Sequence, residues 1–300
     1  MAIDFSALKK SRGNFESLMK EVDKIATPQA EGSQKDERFW QPEVDKAGNG
    51  YAVIRFLPPP KGEDLPWVRV WNHAFQGPTG KWYIENSLTT LNKQDPVSEL
   101  NTELWNTGSE DNKNIGRKQK RKLVYISNIY IVKDPAHLEN EGQVKLFKFG
   151  KKIFDKIKDV MHPTYEDEEA INPFDFWKGA NFKLKIRNVE GYRNYDKSEF
   201  DSVEALLSDD DELEEIWNKQ NSLQEFLDPK HFKSYEELKS KLEMVLSGSG
   251  STSKAEDVDL GEDEAPKFAK PKPKSKPPVD LDLDDEDESL SYFAKLANSD

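Results

Sequence analysis

Apolar residues recur over the first 25 positions as Phe5, Leu8, Phe15, Leu18, Met19, Val22 and Ile25. Spacings of mostly three and four predict a short amphipathic helix or a pair of helices, interrupted near Gly13-Asn14. Residues 26–38 are polar, contain Pro28 and Gly32, and read as a linker. The period then changes. Short β-branched or aromatic runs at 51–57, 67–71, 81–84, 123–132, 144–149 and 182–189 are bounded by Gly, Pro, Asn or Asp, and predict strands. In the last run Phe182, Leu184 and Ile186 alternate with Lys183, Lys185 and Arg187, which places an apolar face opposite a cationic one. Five or six such strands predict a small barrel or a strongly curved sheet. Helical periodicity returns at 151–161, where Ile153, Ile157 and Val160 share a stripe. It returns again after Ser234, which with Glu237 forms a capping box ahead of Leu238, Leu242 and Val245.

The chain therefore reads as α+β: an arm at 1–25, a linker at 26–38, a small β-barrel core with added helices at 39–246, and a tail at 247–300. The tail opens with a Gly/Ser run and continues through a Lys/Pro stretch to an acidic run at 280–288, so it is expected to remain disordered. Leu290, Tyr292, Phe293 and Leu296 follow the acidic run at spacings that suit a short helix in a partner's groove. A plain solubility tail is the competing reading. A third role is competition with DNA for a basic groove, since the run imitates a polyanion.

Charge changes the picture only when divided by region. The net charge of −13 argues against nucleic acid, but residues 255–300 alone hold 14 Asp/Glu against 6 Lys, a net −8. Residues 112–158 hold 13 Lys/Arg against 4 Asp/Glu, a net +9. Screening over about 8–10 Å makes the nearby patch matter more than the distant total. The absence of cysteine excludes disulfides and thiolate chemistry and fits a reducing compartment. With no apolar run near the roughly 18 residues of a membrane span and no signal-peptide pattern, a cytoplasmic protein is expected.

The sharpest cluster is Arg117-Lys118-Gln119-Lys120-Arg121-Lys122, which runs into the strand holding Tyr125. Five cations in six residues repel one another unless a polyanion relieves them, although a solvated loop is the commoner fate of such a run. Aromatic residues interleave with these cations: Trp105, Tyr125, Phe147, Tyr192 and Tyr195 lie beside Lys120, Arg121, Lys122, Lys148 and Arg193. Single-strand binders pair a cationic track with ring faces, because stacking needs no sequence match. Each ring alone fits a core as well as a platform. The alternation in Phe147-Lys148-Phe149 and Tyr192-Arg193-Asn194-Tyr195 favours strands with one face toward DNA. Enzyme patterns are lacking: His73, His137, His162 and His231 are scattered, and Gly48-Asn49-Gly50 reads as a turn rather than a phosphate loop. The reading is non-enzymatic, sequence-tolerant binding of single-stranded DNA. An acidic interaction scaffold that never touches DNA and a metal-dependent nuclease stand as alternatives.

Six ordered blocks carry a resemblance: DKAGNGYAVIRFLP at 45–58, NHAF at 72–75 with GKWYIE at 80–85, IVKDP at 131–135 with ENEG at 139–142, FGKKI at 149–153, WKGANF at 177–182 and FKSYEEL at 232–238. In these the chain resembles the replicative single-stranded DNA-binding (helix-destabilising) proteins of T-even-like bacteriophages. The resemblance implies an OB-fold core with a DNA cleft, a basic N-terminal arm for cooperative self-association, and an acidic C-terminal region that contacts replication, recombination and repair proteins. Cleft cations map to Arg55, Lys120, Arg121 and Lys122, and cleft rings to Tyr125, Tyr192 and Tyr195. Trp105 and Phe147 stand where the family has tyrosine. The arm's basic-plus-hydroxyl motif is approximated by Lys9-Lys10-Ser11-Arg12. The family also has a zinc subdomain, at about 72–106 here, held by one His and three Cys. His73 keeps its place, but the Cys positions read Ser87, Asp95 and Ser98, so no cofactor and no bound zinc are expected. Apolar packing by Phe75, Trp82, Tyr83, Ile84, Leu88 and Leu91 is then expected to hold that segment.

Overall fold

A computed structural model describes residues 36–165, 167–189 and 191–247. The predicted arm, most of the linker and almost all of the tail lie outside the described residues, among them Lys9, Lys10, Ser11, Arg12, Leu290, Tyr292, Phe293 and Leu296. The described chain is mixed α+β. Its strands are β1 (Phe39–Trp40), β2 (Gly50–Phe56), β3 (Val68–Gln76), β4 (Trp82–Asn86), β5 (Lys122–Lys133), β6 (Val144–Phe149), β7 (Ala180–Val189), β8 (Tyr192–Asn194) and β9 (Glu199–Val203). Its helices are α1 (Pro96–Asn106), α2 (Glu110–Gln119), α3 (Lys151–Met161), α4 (Asp210–Asn218) and α5 (Tyr235–Ser247). Among the described residues no helix is long and apolar enough to cross a membrane.

The sheet is mostly antiparallel and runs β1-β6-β5-β2-β7-β8, with only β1 and β6 parallel. β5 is its hub. Its first residues pair with β3, its middle with β6 and its last with β2, so one twelve-residue strand serves three neighbours. β4 extends β3, and β9 joins β7. Among the described residues the strand pairing leaves the sheet open, so the small barrel expected from the sequence is not closed into a ring. All six runs with strand periodicity are strands. The segment predicted at 67–71 continues to Gln76, because Asn72–Gln76 pair with β4. That extension is set by the partner strand and not by local composition.

Two apolar clusters matter for function. The larger packs Trp40, Ile54, Phe56, Tyr125, Phe147, Phe149, Phe174, Phe182 and Tyr195 beneath α3, whose Ile153 and Ile157 face inward as their spacing predicts. The second builds a lobe from Phe75, Tyr83, Leu88 and Val97 against Leu238, Leu242 and Val245 of α5. Leu91 packs at its margin, whereas Trp82 and Ile84 are absent from this cluster. So α5 supplies half of a core that was expected from residues 72–106 alone. Its predicted capping box is present: the Ser234 amide donates to Glu237 Oε2 at 2.8 Å, and the Glu237 amide donates to Ser234 Oγ at 3.3 Å. α1 begins where Asp95 accepts from the amides of Val97 and Ser98, with Pro96 in the first turn.

Candidate nucleic-acid interface

The segment 110–119 has almost no apolar stripe, which is why periodicity gives no helix there. It folds as α2 nonetheless, with Glu110 and Asp111 in the first turn and Arg117 and Lys118 in the last, charges that complement the helix dipole. Lys120 caps its end and β5 starts at Lys122, so the cationic run bends from helix to strand.

Two indoles lie along this turn, each under a cation. The Arg117 guanidinium is 5.3 Å from the Trp105 ring centroid and Lys113 Nζ is 5.9 Å from it. Trp105, at the end of α1, is 42% exposed. The Arg121 guanidinium lies 4.3 Å over Trp71 of β3. Such cation–π contacts contribute about 0.5–1 kcal/mol at exposed sites, and an arginine plane suits them. Lys120 is exposed, and Arg121 and Lys122 are half-exposed. Of the expected cluster, Trp105 thus meets Lys113 and Arg117 of α2, while Arg121 meets Trp71 of β3.

Other expected site residues lie elsewhere. Arg55 is 0% exposed. Its Nε donates to Asn181 Oδ1 at 3.0 Å, Nη1 to the Asp175 carbonyl at 3.2 Å, and Nη2 to the Glu204 carbonyl at 2.9 Å. A Cβ at Gly179 would fall 2.6 Å from Nη1, so glycine is required beside it. Burial lowers the pKa of this guanidinium, while Glu204 and Asp175 oppose the shift. Arg55 pins β2 to the loop before β7 and to the end of β9; it presents no charge to a ligand.

The rings of β5 and β6 also face inward. Tyr125 is 6% exposed and stacks on Phe154 at 4.0 Å and 6°. Phe147 is buried between Trp40 and Phe149, at 5.5 Å from each. Tyr195 is buried in the same cluster. The alternation at 147–149 is therefore ordinary sheet alternation: the rings are inside and the half-buried Lys148 lies between them. Burial pushes the Tyr125 hydroxyl pKa up, and the neighbouring Arg69 and Lys151 pull it down against Asp155. Tyr192 on β8 is 41% exposed and remains available as a ring face. The cations of β7 point outward as their alternation predicts, but Lys183 pairs with Asp201 and Lys185 with Glu199, both at 2.7 Å. Those charges are already met by β9. Arg69 and Trp71 of β3 were not among the expected site residues, yet their parity is outward, opposite to that of the buried Val68 and Val70.

The four positions that the resemblance likens to metal ligands, His73, Ser87, Asp95 and Ser98, do come together in the lobe. His73 Nδ1 lies 2.9 Å from the Gln119 carbonyl and so is the donor, while Nε2 is 3.2 Å from Asp95 Oδ1. Both residues are buried. Asp95 Oδ2 accepts from Ser87 Oγ at 2.9 Å and the Leu88 amide at 3.1 Å, and Oδ1 accepts from the amides of Val97 and Ser98. Burial opposes ionisation of Asp95, but His73, the Ser98 amide and the Ser87 hydroxyl outweigh it and hold the carboxyl well below its usual range. Both carboxylate oxygens are already engaged, and the remaining side-chain donors are two hydroxyls and one imidazole nitrogen. A structural zinc takes four nitrogen or sulfur ligands in the main, and these residues do not fit one.

The chain matches the family described as "gp32 DNA binding protein like" over residues 48–246. The single-stranded DNA-binding protein of Enterobacteria phage T2 is 38% identical over 270 residues, which cover 86% of this chain and 87% of that protein. The protein of the same name from Enterobacteria phage T4 is 39% identical over 249 residues, covering 79% and 80%. A match of this length, spanning β2 to α5 and hence the whole basic turn, means that the chain belongs to the gp32-like family of DNA-binding proteins.

Proposed function

We propose that this protein binds single-stranded DNA without sequence preference and does no chemistry on it, and that the strand lies along the turn from α2 into β5. The observation that carries the reading is the pairing of two indoles with arginines on the segment that also bears Lys120 and Lys122. Cations there neutralise phosphates and release condensed counterions, while ring faces take bases at about 1–3 kcal/mol each. Unpaired strands are sequestered, and duplex DNA shifts toward the melted form by mass action. The pairing of β5 with three neighbours suits an OB-like arrangement of this sheet, with Tyr192 as a further ring face. The names of the relatives support the same reading.

On this reading residues 1–25, with Lys9, Lys10, Ser11 and Arg12, join neighbouring protomers along the strand, and the acidic tail recruits replication, recombination or repair proteins through Leu290, Tyr292, Phe293 and Leu296. The lobe is held without zinc by the His73–Asp95 pair and the packing of α5. Titrating the full chain with oligo(dT) and with duplex DNA at two salt concentrations tests the central reading through tryptophan fluorescence. Quenching and salt-sensitive binding are expected with oligo(dT). Equal affinity for both forms, or none for either, overturns it.

A further inference from the structure

β3 pairs with β5 so that Arg69 lies opposite Tyr125 and Trp71 opposite Leu123. Residues directly opposite in an antiparallel pair share a face, so Arg69 and Trp71 project together, about 7 Å apart along the strand. Their neighbours Val68 and Val70 point the other way, into a cluster with Ile126, Leu146 and Leu223. Trp71 belongs to none of the apolar clusters among the described residues. Its backbone is nonetheless held at both ends. The Trp71 amide donates to Thr90 Oγ1 at 2.8 Å, and its carbonyl accepts from the Ser87 amide at 2.8 Å and Thr90 Oγ1 at 3.3 Å. A large ring is thus set on a rigid strand, unused by the core, with the Arg121 guanidinium over its face.

A fixed indole with two arginines is a poor solution for packing and a good one for a nucleotide. A guanidinium and a nucleobase are both flat and bind the same π-face, and a guanidinium displaced from the ring can pair with a phosphate. We propose that Trp71 is a base-stacking station: a base of the bound strand takes the indole face that Arg121 covers in the free protein, Arg121 turns to the adjacent phosphate, and Arg69 holds the next one. This rests on the single-strand reading above and adds residues to it. It also locates the track at the β3 edge of the face on which Tyr125 lies buried opposite Arg69.

The test is oligo(dT) affinity of Trp71→Ala and Trp71→Phe full chains, with folding checked by thermal melting. Trp71→Ala should lose roughly 5- to 100-fold in affinity, and Trp71→Phe should keep most of it. An alanine variant that folds and binds as tightly as the parent overturns the proposal. If that variant does not fold, Trp71→Phe decides by fluorescence: loss of part of the DNA-induced quenching supports the stack, and unchanged quenching overturns it. Arg69→Ala should flatten the salt dependence by about one phosphate's worth. Failure of the parent chain to bind oligo(dT) would instead overturn the function itself, so the two failures are separable.

Discussion

The core beneath α3 and the lobe around α1, α2 and α5 use the same residue types in opposite ways. In the core, rings that sit beside cations in the sequence are buried, and the one arginine among them is saturated by an amide oxygen and two carbonyls. At the lobe's junction with β5, Trp105 and Trp71 carry their cations on the outside. The difference teaches that adjacency of ring and cation along a chain does not define an interface. What defines one is whether the ring has apolar neighbours on both sides or a charged group on one.

The largest effect that could break this contrast is at Tyr125. Tyr125→Ala should destabilise the fold by about 3–5 kcal/mol, as removal of a buried aromatic does, while Tyr125→Phe should leave oligo(dT) affinity nearly unchanged. A large affinity loss in a stable Tyr125→Phe protein would return this residue to the interface. Next comes the lobe. Asp95→Ala removes one partner of a buried pair and should cost on the order of 3–5 kcal/mol, read as a drop in melting temperature, whereas a chelator should leave the parent unchanged. Because folding depresses the Asp95 pKa, its contribution is complete above the ordinary carboxylate range and is lost as pH falls through and below that range. Acid titration of the parent should therefore lose stability that the Asp95→Ala variant lacks throughout. Stoichiometric zinc in protein purified without added metal would refute the metal-free lobe.

Replacing Lys120, Arg121 and Lys122 with Ala should weaken binding for all sequences and lower the slope of log affinity against log salt by about 2, if each meets one phosphate of a single strand. The smallest effect sharpens the comparison from the other side. Lys183→Ala, which removes a cation already paired with Asp201, should leave that slope unchanged.

Much of this architecture was legible in the chain. Alternation located six strands, since a strand with one wet face must alternate, and the spacing of Ile153 and Ile157 marked the buried side of α3. The Ser234–Glu237 box placed the start of α5. The helices α1 and α2 were not legible, because an N-cap and a dipole-matched charge pattern stabilise them where an apolar stripe is short or missing. At the interface, the cations at 120–122 were visible as a run, but the partners of Trp71 and Trp105 were not.

Periodicity, the segregation of charge and the lack of cysteine were all fixed in the chain before it folded. Only the tertiary structure decided which rings face out, that Arg55 is a pin rather than a contact, and that His73 and Asp95 form a buried pair. The reason is physical. Periodicity reports which side of an element is apolar, whereas exposure and pairing depend on what another element lays against that side. The strand β5 has neighbours on both faces and both edges, which no local pattern records.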